Sequence, residues 1–135
     1  MIVAGVPVTQ GSMRAINNRV MHNNGTKIDA WRRSIVDAVH RQHGEEIELL
    51  DGPLWLSAAF RLPRPQKLTK KREAEGPIGK NSGDLSKFLR CIEDALTGVL
   101  ITDDSRIVHI KDLTKGWANP GAQPGVVFTI GETKA

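Results

Sequence analysis

The stretch from Gly83 to Arg106, GDLSKFLRCIEDALTGVLITDDSR, constrains the fold of this chain more than any other part of it. Its apolar residues recur at helical spacing from about Asp84 to Thr97, which predicts an amphipathic helix, and Gly98 is placed to end that helix. A short apolar strand is predicted at residues 99–102, and it leads into the carboxylate pair Asp103–Asp104. Asp84 at the start of the helix and the Asp103–Asp104 pair after the strand are therefore placed at the ends of elements that can pack side by side. Mg²⁺ needs such oxygen ligands and is usually held by one or two carboxylates, waters and substrate phosphate.

Positive charge is concentrated on one segment of the chain. The 135 residues fit a single domain, 1–135, with a formal net charge of +4. Between residues 61 and 80, seven lysines and arginines stand against two glutamates. The seven basic residues are Arg61, Arg64, Lys67, Lys70, Lys71, Arg72 and Lys80. Residues 63–82, here called the basic arm, therefore predict a phosphate-binding segment beside the carboxylates, and the phosphate is expected to belong to nucleic acid.

The remaining periodicity alternates between strand and helix. Strands are predicted at residues 1–8, 53–62, 106–116 and 125–131, a further helix at residues 27–43, and a short hairpin piece at residues 20–22. The order is β-α-β, the basic arm, then α-β-β-β. It predicts an α+β (α/β-like) domain with a small mixed β-sheet and two helices. Both sides of residues 54–62 are largely apolar, which is typical of a strand in the middle of a sheet or at a subunit contact.

Cysteine usage and the N-terminal sequence favour a cytoplasmic location. The single cysteine, Cys91, excludes an internal disulfide and fits a reducing compartment. The N-terminal sequence MIVAGVPVTQG lacks the basic start and long apolar core of a signal peptide. No apolar run approaches the roughly 20 residues of a membrane span. We therefore expect no membrane partner.

The acidic helix and the turn after it resemble the RusA family of Holliday-junction resolvases. The family pattern has an acidic residue at the helix start, a basic residue six positions later, an Asp-Ala-Leu and then an Asp-Asp. These fall here on Asp84, Arg90, residues 94–96 and residues 103–104. A Gly-x-x-Arg segment after the first strand, ending at Arg14, is also similar.

The resemblance implies a small, homodimeric, Mg²⁺-dependent endonuclease of branched DNA, of a kind common in phages and prophages. Mn²⁺ is the alternative ion, and the location would be the host cytoplasm if a phage encodes the chain. Asp84, Asp104 and Arg90 would be the catalytic residues, with Asp84, Asp104 and Asp103 as the metal ligands. The residues expected to contact DNA are Arg14, Arg64, Lys67, Lys70, Lys71, Arg72, Lys80 and Lys87.

The sequence departs from the family pattern at Ser86, where the family has a second aspartate. A hydroxyl is a poor ligand for Mg²⁺ compared with a carboxylate. Three functions therefore stay open. The first is a structure-selective endodeoxyribonuclease, and the second is a non-catalytic RusA-like DNA-binding module that has lost a metal ligand. The third is a small structural or interaction protein whose aspartates only cap a helix and a turn.

Overall fold

The computed structural model describes residues 1–10, 13–16, 19–22 and 25–133. Of residues 13–24, only the backbone of the two short strands is described, and no side chain. In the described part the strands are β1 (Ile2–Ala4), β2 (Met13–Ile16), β3 (Arg19–His22), β4 (Leu54–Leu62), β5 (Ile107–Trp117) and β6 (Gly125–Glu132), and the helices are α1 (Gly25–His43), α2 (Lys70–Glu75) and α3 (Leu85–Leu96).

Four strands form one mixed sheet in the order β1-β6-β4-β5. β6 runs antiparallel to both β1 and β4, whereas β4 and β5 are parallel. β2 and β3 pair only with each other, as an antiparallel hairpin between β1 and α1. The predicted α+β class with a small mixed sheet is confirmed.

The core lies between one face of the sheet and the helices α1 and α3. Every second residue of β4, from Leu54 to Leu62, is buried. The ring of Phe60 stacks on Phe88 of α3, with centroids 5.2 Å apart. Since α1 and α3 also pack on each other, the position of α3 is fixed by both the sheet and the other long helix.

Several local predictions differ from the structure. Residues 99–102 are not a strand, because they form a turn whose only ladder-like contacts among the described residues are isolated bridges at Ile101. Helix α2 lies inside the basic arm, where no periodicity predicted it. Its N-cap is Thr69, whose hydroxyl accepts a hydrogen bond from the Arg72 amide. The first strand covers Ile2–Ala4 rather than residues 1–8.

The strand β4 is covered on one face only within a single chain. On its other face Trp55, Ser57 and Ala59 are half-buried and Arg61 is exposed. Val127 of the neighbouring strand β6 lies opposite Ala59 and is also exposed. The predicted position of β4 in the middle of a sheet is confirmed, since it pairs with β6 on one side and β5 on the other, but only one face of the strand is covered within the single chain. No helix in the described part of the chain is long and apolar enough to cross a membrane.

Candidate active site

Helix α3 carries the acidic motif and presents it to solvent. Its apolar side buries Phe88, Cys91, Ile92, Ala95 and Leu96. The opposite side carries Ser86, Arg90 and Glu93, which are spaced four and three residues apart and so share one face. Because the apolar side of α3 is buried, the polar residues on the opposite side are the ones that can contact a substrate.

Asp84 stands immediately before α3 in an extended backbone conformation, with φ −82° and ψ 136°. Its side chain makes no capping hydrogen bond to the helix, although a helix N-cap is the commonest structural use of an aspartate at this position. The carboxylate is 68% exposed and lies 3.4 Å from the ammonium of Lys87. Asp84 therefore occupies the N-cap position, but its side chain does not cap the helix, and the carboxylate oxygens remain accessible to solvent.

The backbone before Asp84 is held in place by Gly83 and by a lysine from β5. Gly83 has φ +96°, and a Cβ there would lie 2.7 Å from both Phe88 Cζ and Thr9 Cγ2. The Lys115 ammonium donates hydrogen bonds to Gly83 O at 2.8 Å and to Ser82 Oγ at 3.0 Å. Sequence analysis missed Lys115, because nothing local shows that β5 passes beside the start of α3.

The Asp103–Asp104 pair lies in the turn that joins α3 to β5, and hydrogen bonds stabilise this turn. Asp103 accepts a hydrogen bond from the Ser105 amide at 3.0 Å, and the hydrogen bonds from the Ser105 hydroxyl and amide lower the pKa of Asp103. Asp51, in the loop before β4, holds this turn in place. It accepts hydrogen bonds from Thr102 Oγ1 at 2.6 Å and from Arg106 Nε at 3.1 Å. Asp103 therefore stabilises this turn, and both Asp103 and Asp104 are exposed.

Glu93, like Lys115, lies at the site but was not among the residues predicted from the sequence. Burial raises the pKa of Glu93, and the nearby carboxylates of Asp104 and Asp94 raise it further, whereas Arg90 lowers it. The structure thus brings Glu93, Asp104 and Arg90 into one electrostatic neighbourhood. The available signal was the seven-residue spacing between Ser86 and Glu93, which puts both on the same helix face.

The side chains of the predicted metal ligands do not meet at a common position in the single chain. Among the described residues, no group of three or more His, Cys, Asp or Glu side chains is placed to hold a metal ion. Asp84 lies at the start of α3, whereas Asp104 interacts with Glu93, nine residues further along. An α-helix rises 1.5 Å per residue, so the two levels are separated by about 13 Å along the axis.

Asp94, of the Asp-Ala-Leu motif, is engaged elsewhere. Its carboxylate lies 3.1 Å from the Arg32 guanidinium and accepts a hydrogen bond from the side-chain amide of the buried Gln10. Arg32 Nε also donates to Gln10 Oε1 at 3.0 Å. Asp94 therefore joins α1, α3 and the segment before the hairpin, and it is not a free metal ligand.

Some of the residues predicted to contact DNA form ion pairs within the chain, and others are exposed. Arg64 pairs with Glu73, and Lys71 lies 4.0 Å from Glu75, so the two glutamates of the arm offset part of its charge. Lys87 pairs with Asp84. The other predicted contacts of the arm are exposed, namely Lys67, Lys70, Arg72 and Lys80. The side chain of Arg14 lies outside the described residues.

Cys91 is buried against the core. Burial raises the pKa of its thiol to about 11, so the group is neutral at physiological pH. A neutral buried thiol is a poor nucleophile and a poor metal ligand. Its role is packing on the apolar side of α3.

Comparison with known proteins assigns the family. A sequence model described as Endodeoxyribonuclease RusA matches residues 4–130. The chain belongs to the RusA family. It is also similar to Uncharacterized protein YqaN of Bacillus subtilis (strain 168), with 28% identity over 116 residues and 81% of each chain covered. RusA nucleases act on branched DNA and are generally dependent on a divalent metal, so membership indicates an endodeoxyribonuclease of the Holliday-junction resolving type.

We predict that Gly83→Ala destabilises the protein by about 1–3 kcal/mol, because a side chain at positive φ is strained and would also collide with Phe88 and Thr9. Gly79→Ala is the matched control, since Gly79 has φ −66° and no atom lies within 4 Å of its added Cβ. Equilibrium urea denaturation of both variants measures the difference. Equal stability of the two variants would contradict the conformation described for Gly83.

Proposed function

We propose that this chain is a divalent-metal-dependent endodeoxyribonuclease that hydrolyses phosphodiester bonds in Holliday junctions or related branched DNA. The observation that carries the proposal is the exposed, uncapped carboxylate of Asp84 at the start of α3, in a chain of the RusA family. An aspartate side chain that capped the helix would accept hydrogen bonds from the first backbone amides of the helix. Asp84 does not.

We assign divalent-ion binding to Asp84 and, about 13 Å further along α3, to Asp104 with Asp103 beside it. We take the ion to be Mg²⁺, with Mn²⁺ as the alternative. The donor set fits, because all three residues offer hard carboxylate oxygens on an exposed surface. Mg²⁺ is commonly held by one or two carboxylates with waters and substrate phosphates, so a closed set of three side chains is not required. When bound, such an ion polarises the phosphodiester and provides a nucleophile at neutral pH.

Arg90 and Lys87 are the two cations on α3, the helix that Asp84 precedes. Arg90 is exposed and shares a face of α3 with Ser86 and Glu93. A guanidinium there can donate two hydrogen bonds to a phosphate and stabilise the negative charge that develops during hydrolysis. Lys87 is paired with Asp84, so it neutralises part of the carboxylate charge that would otherwise repel the DNA backbone.

The basic arm supplies the binding surface for the DNA backbone. Its exposed cations precede Asp84 directly in the chain, so a strand bound along the arm would lead to the start of α3. We assign backbone contacts to this arm and to Arg14. These contacts position the substrate without reading its sequence.

The partner of the chain is proposed to be a second copy of itself. Symmetric resolution of a four-way junction needs two cuts, and a twofold dimer provides them. The uncovered face of β4, with Trp55, Ser57 and Ala59 half-buried, offers a contact area, at one end of which Lys111 Nζ lies 4.0 Å from the centre of the Trp55 ring. A DNA substrate would place the activity in the cytoplasm, of the host cell if the chain is phage-encoded.

Ser86 favours a second candidate function. A serine occupies the position of the family's second aspartate, on the same helix face as Arg90. A chain with one fewer anionic ligand could retain branched-DNA binding and lose cleavage. Nicking of a synthetic four-way junction in the presence of Mg²⁺ or Mn²⁺ supports the enzyme, whereas salt-sensitive binding without nicking supports the binding module.

We expect Asp84→Asn and Asp104→Asn each to lower the cleavage rate by at least about 100-fold, the scale for losing a group that stabilises developing charge. Junction affinity should stay equal or rise, because a negative charge near the phosphates is removed. Cleavage and gel-shift assays on a labelled four-way junction measure the two effects. Asp37→Asn, an exposed site on α1, is the control. Wild-type cleavage by either active-site variant would refute the assignment.

Ser86→Asp is expected to lower the Mg²⁺ concentration needed for half-maximal cleavage, or to create cleavage if the wild type has none. The added carboxylate is a hard anionic ligand, and it lies in the first turn of α3, where negative charge is favourable. A Mg²⁺ titration compares wild type, Ser86→Asp and the neutral control Ser86→Asn. If the aspartate and asparagine variants need the same amount of Mg²⁺, the carboxylate does not bind the ion.

A further inference from the structure

A cavity of about 430 Å³ lies between α2, the loop that follows it and the end of β5. This volume is in the range of small-molecule sites. One wall is the ring of Trp117, and Ile78, whose side chain is 70% exposed, contributes a second apolar surface. Arg72, Lys80, Asn81 and Glu75 provide the polar lining.

The Trp117 ring is held in a fixed position. Its indole Nε1–H donates a hydrogen bond to the Arg72 carbonyl at 3.2 Å, which ties the ring to α2. Its backbone pairs with Leu62 in the sheet, and the next residue, Ala118, donates to Leu62 O at 2.8 Å. Trp117 is half-buried and packs against the hydrophobic core, so the part of its side chain that lines the cavity is a preformed surface on which a planar group can stack.

The polar lining indicates a base as well as a phosphate. Arg72 and Lys80 offer cationic donors, and Asn81 offers both a donor and an acceptor. Glu75 offers an acceptor, and its ion pair with Lys71 at 4.0 Å is long. A site for phosphate alone would gain nothing from a carboxylate and an indole. A nucleobase uses donors, acceptors and a stacking surface together.

The cavity lies next to the start of the acidic helix. Ser82, which lines it, is two residues before Asp84, so their Cα atoms are at most about 7 Å apart. Lys115 holds this segment through its hydrogen bonds to Ser82 and Gly83. Successive phosphates of a stacked strand are about 3.4 Å apart along the axis. The cavity is therefore within one or two nucleotides of a phosphate placed at Asp84.

We propose that this cavity binds one unpaired nucleobase of the strand whose phosphate lies at Asp84. The inference rests on the proposed function, because a branch point exposes bases that have lost their stacking partner. Bases inside a continuous duplex would first have to be extruded, whereas an unpaired base pays the least for leaving the stack. The cavity, whose lining apart from Trp117 belongs to the basic arm, is then a determinant of the preference for branched over linear DNA.

The test is Trp117→Ala, assayed for binding without divalent ions so that cleavage plays no part. The probes are a labelled four-way junction carrying two unpaired thymines at the branch and a linear duplex of equal length. Affinity for the junction should fall by about 5- to 150-fold, the scale for losing one base–aromatic stack. Affinity for the duplex and the salt dependence of binding should not change. Lys70→Ala with Lys71→Ala is the contrast, expected to weaken both substrates and to reduce the salt slope by up to about 2.

A second measurement guards against misfolding of Trp117→Ala. Trp117→Phe keeps a stacking ring and is expected to retain most of the junction preference. In a Trp55→Phe protein the remaining tryptophans are the buried Trp31 and the half-buried Trp117, so quenching by an unpaired oligothymidine reports on Trp117. Equal losses on junction and duplex, or no quenching by the oligonucleotide, would overturn the proposal. A chain that binds the junction through Trp117 but never cleaves it would contradict only the proposed nuclease activity.

Discussion

The buried side-chain amide of Gln10 is the constraint on which the geometry of the acidic helix depends. A buried amide is costly unless it is hydrogen-bonded, and Gln10 meets this requirement through Arg32 of α1 and Asp94 of α3. Its backbone amide also donates to Lys87 O at 3.0 Å. These bonds fix the rotation and height of α3 relative to α1. Because Asp94 points into this network, Ser86 and Arg90 are turned to solvent, and Glu93 is half-buried beside them.

The same network explains why one acidic residue of the motif is structural and others are free. Asp94 Oδ2 is bound by its arginine and amide partners, whereas Asp84 and Asp104 lie on exposed ends of elements. Glu93 and Asp104 raise the local density of negative charge beside Arg90. The basic arm precedes this acidic surface in the chain. Attraction of DNA and binding of a cation are thereby assigned to neighbouring but separate groups of residues.

Local sequence patterns predicted the elements well, and contacts between distant residues account for what they missed. Helix α3 was predicted at residues 84–97 and found at Leu85–Leu96, since its apolar spacing is regular. Residues 99–102 look like a strand by composition, but their backbone bonds go to α3 and to Leu50, so they form a turn. The approach of Lys115 to Gly83 and of Glu93 to Asp104 depends on how β5 and the turn pack against α3. No local pattern encodes such approaches.

The most direct test of the account is the location of manganese in crystals of the protein grown with a non-cleavable branched DNA. Anomalous scattering identifies Mn²⁺ without reference to activity. We predict a peak about 2.1 Å from a carboxylate oxygen of Asp84 or Asp104, with a DNA phosphate in the same coordination sphere. A peak at Asp94, or bound DNA with no metal at either predicted aspartate, would contradict the assignment of these carboxylates to a nuclease site.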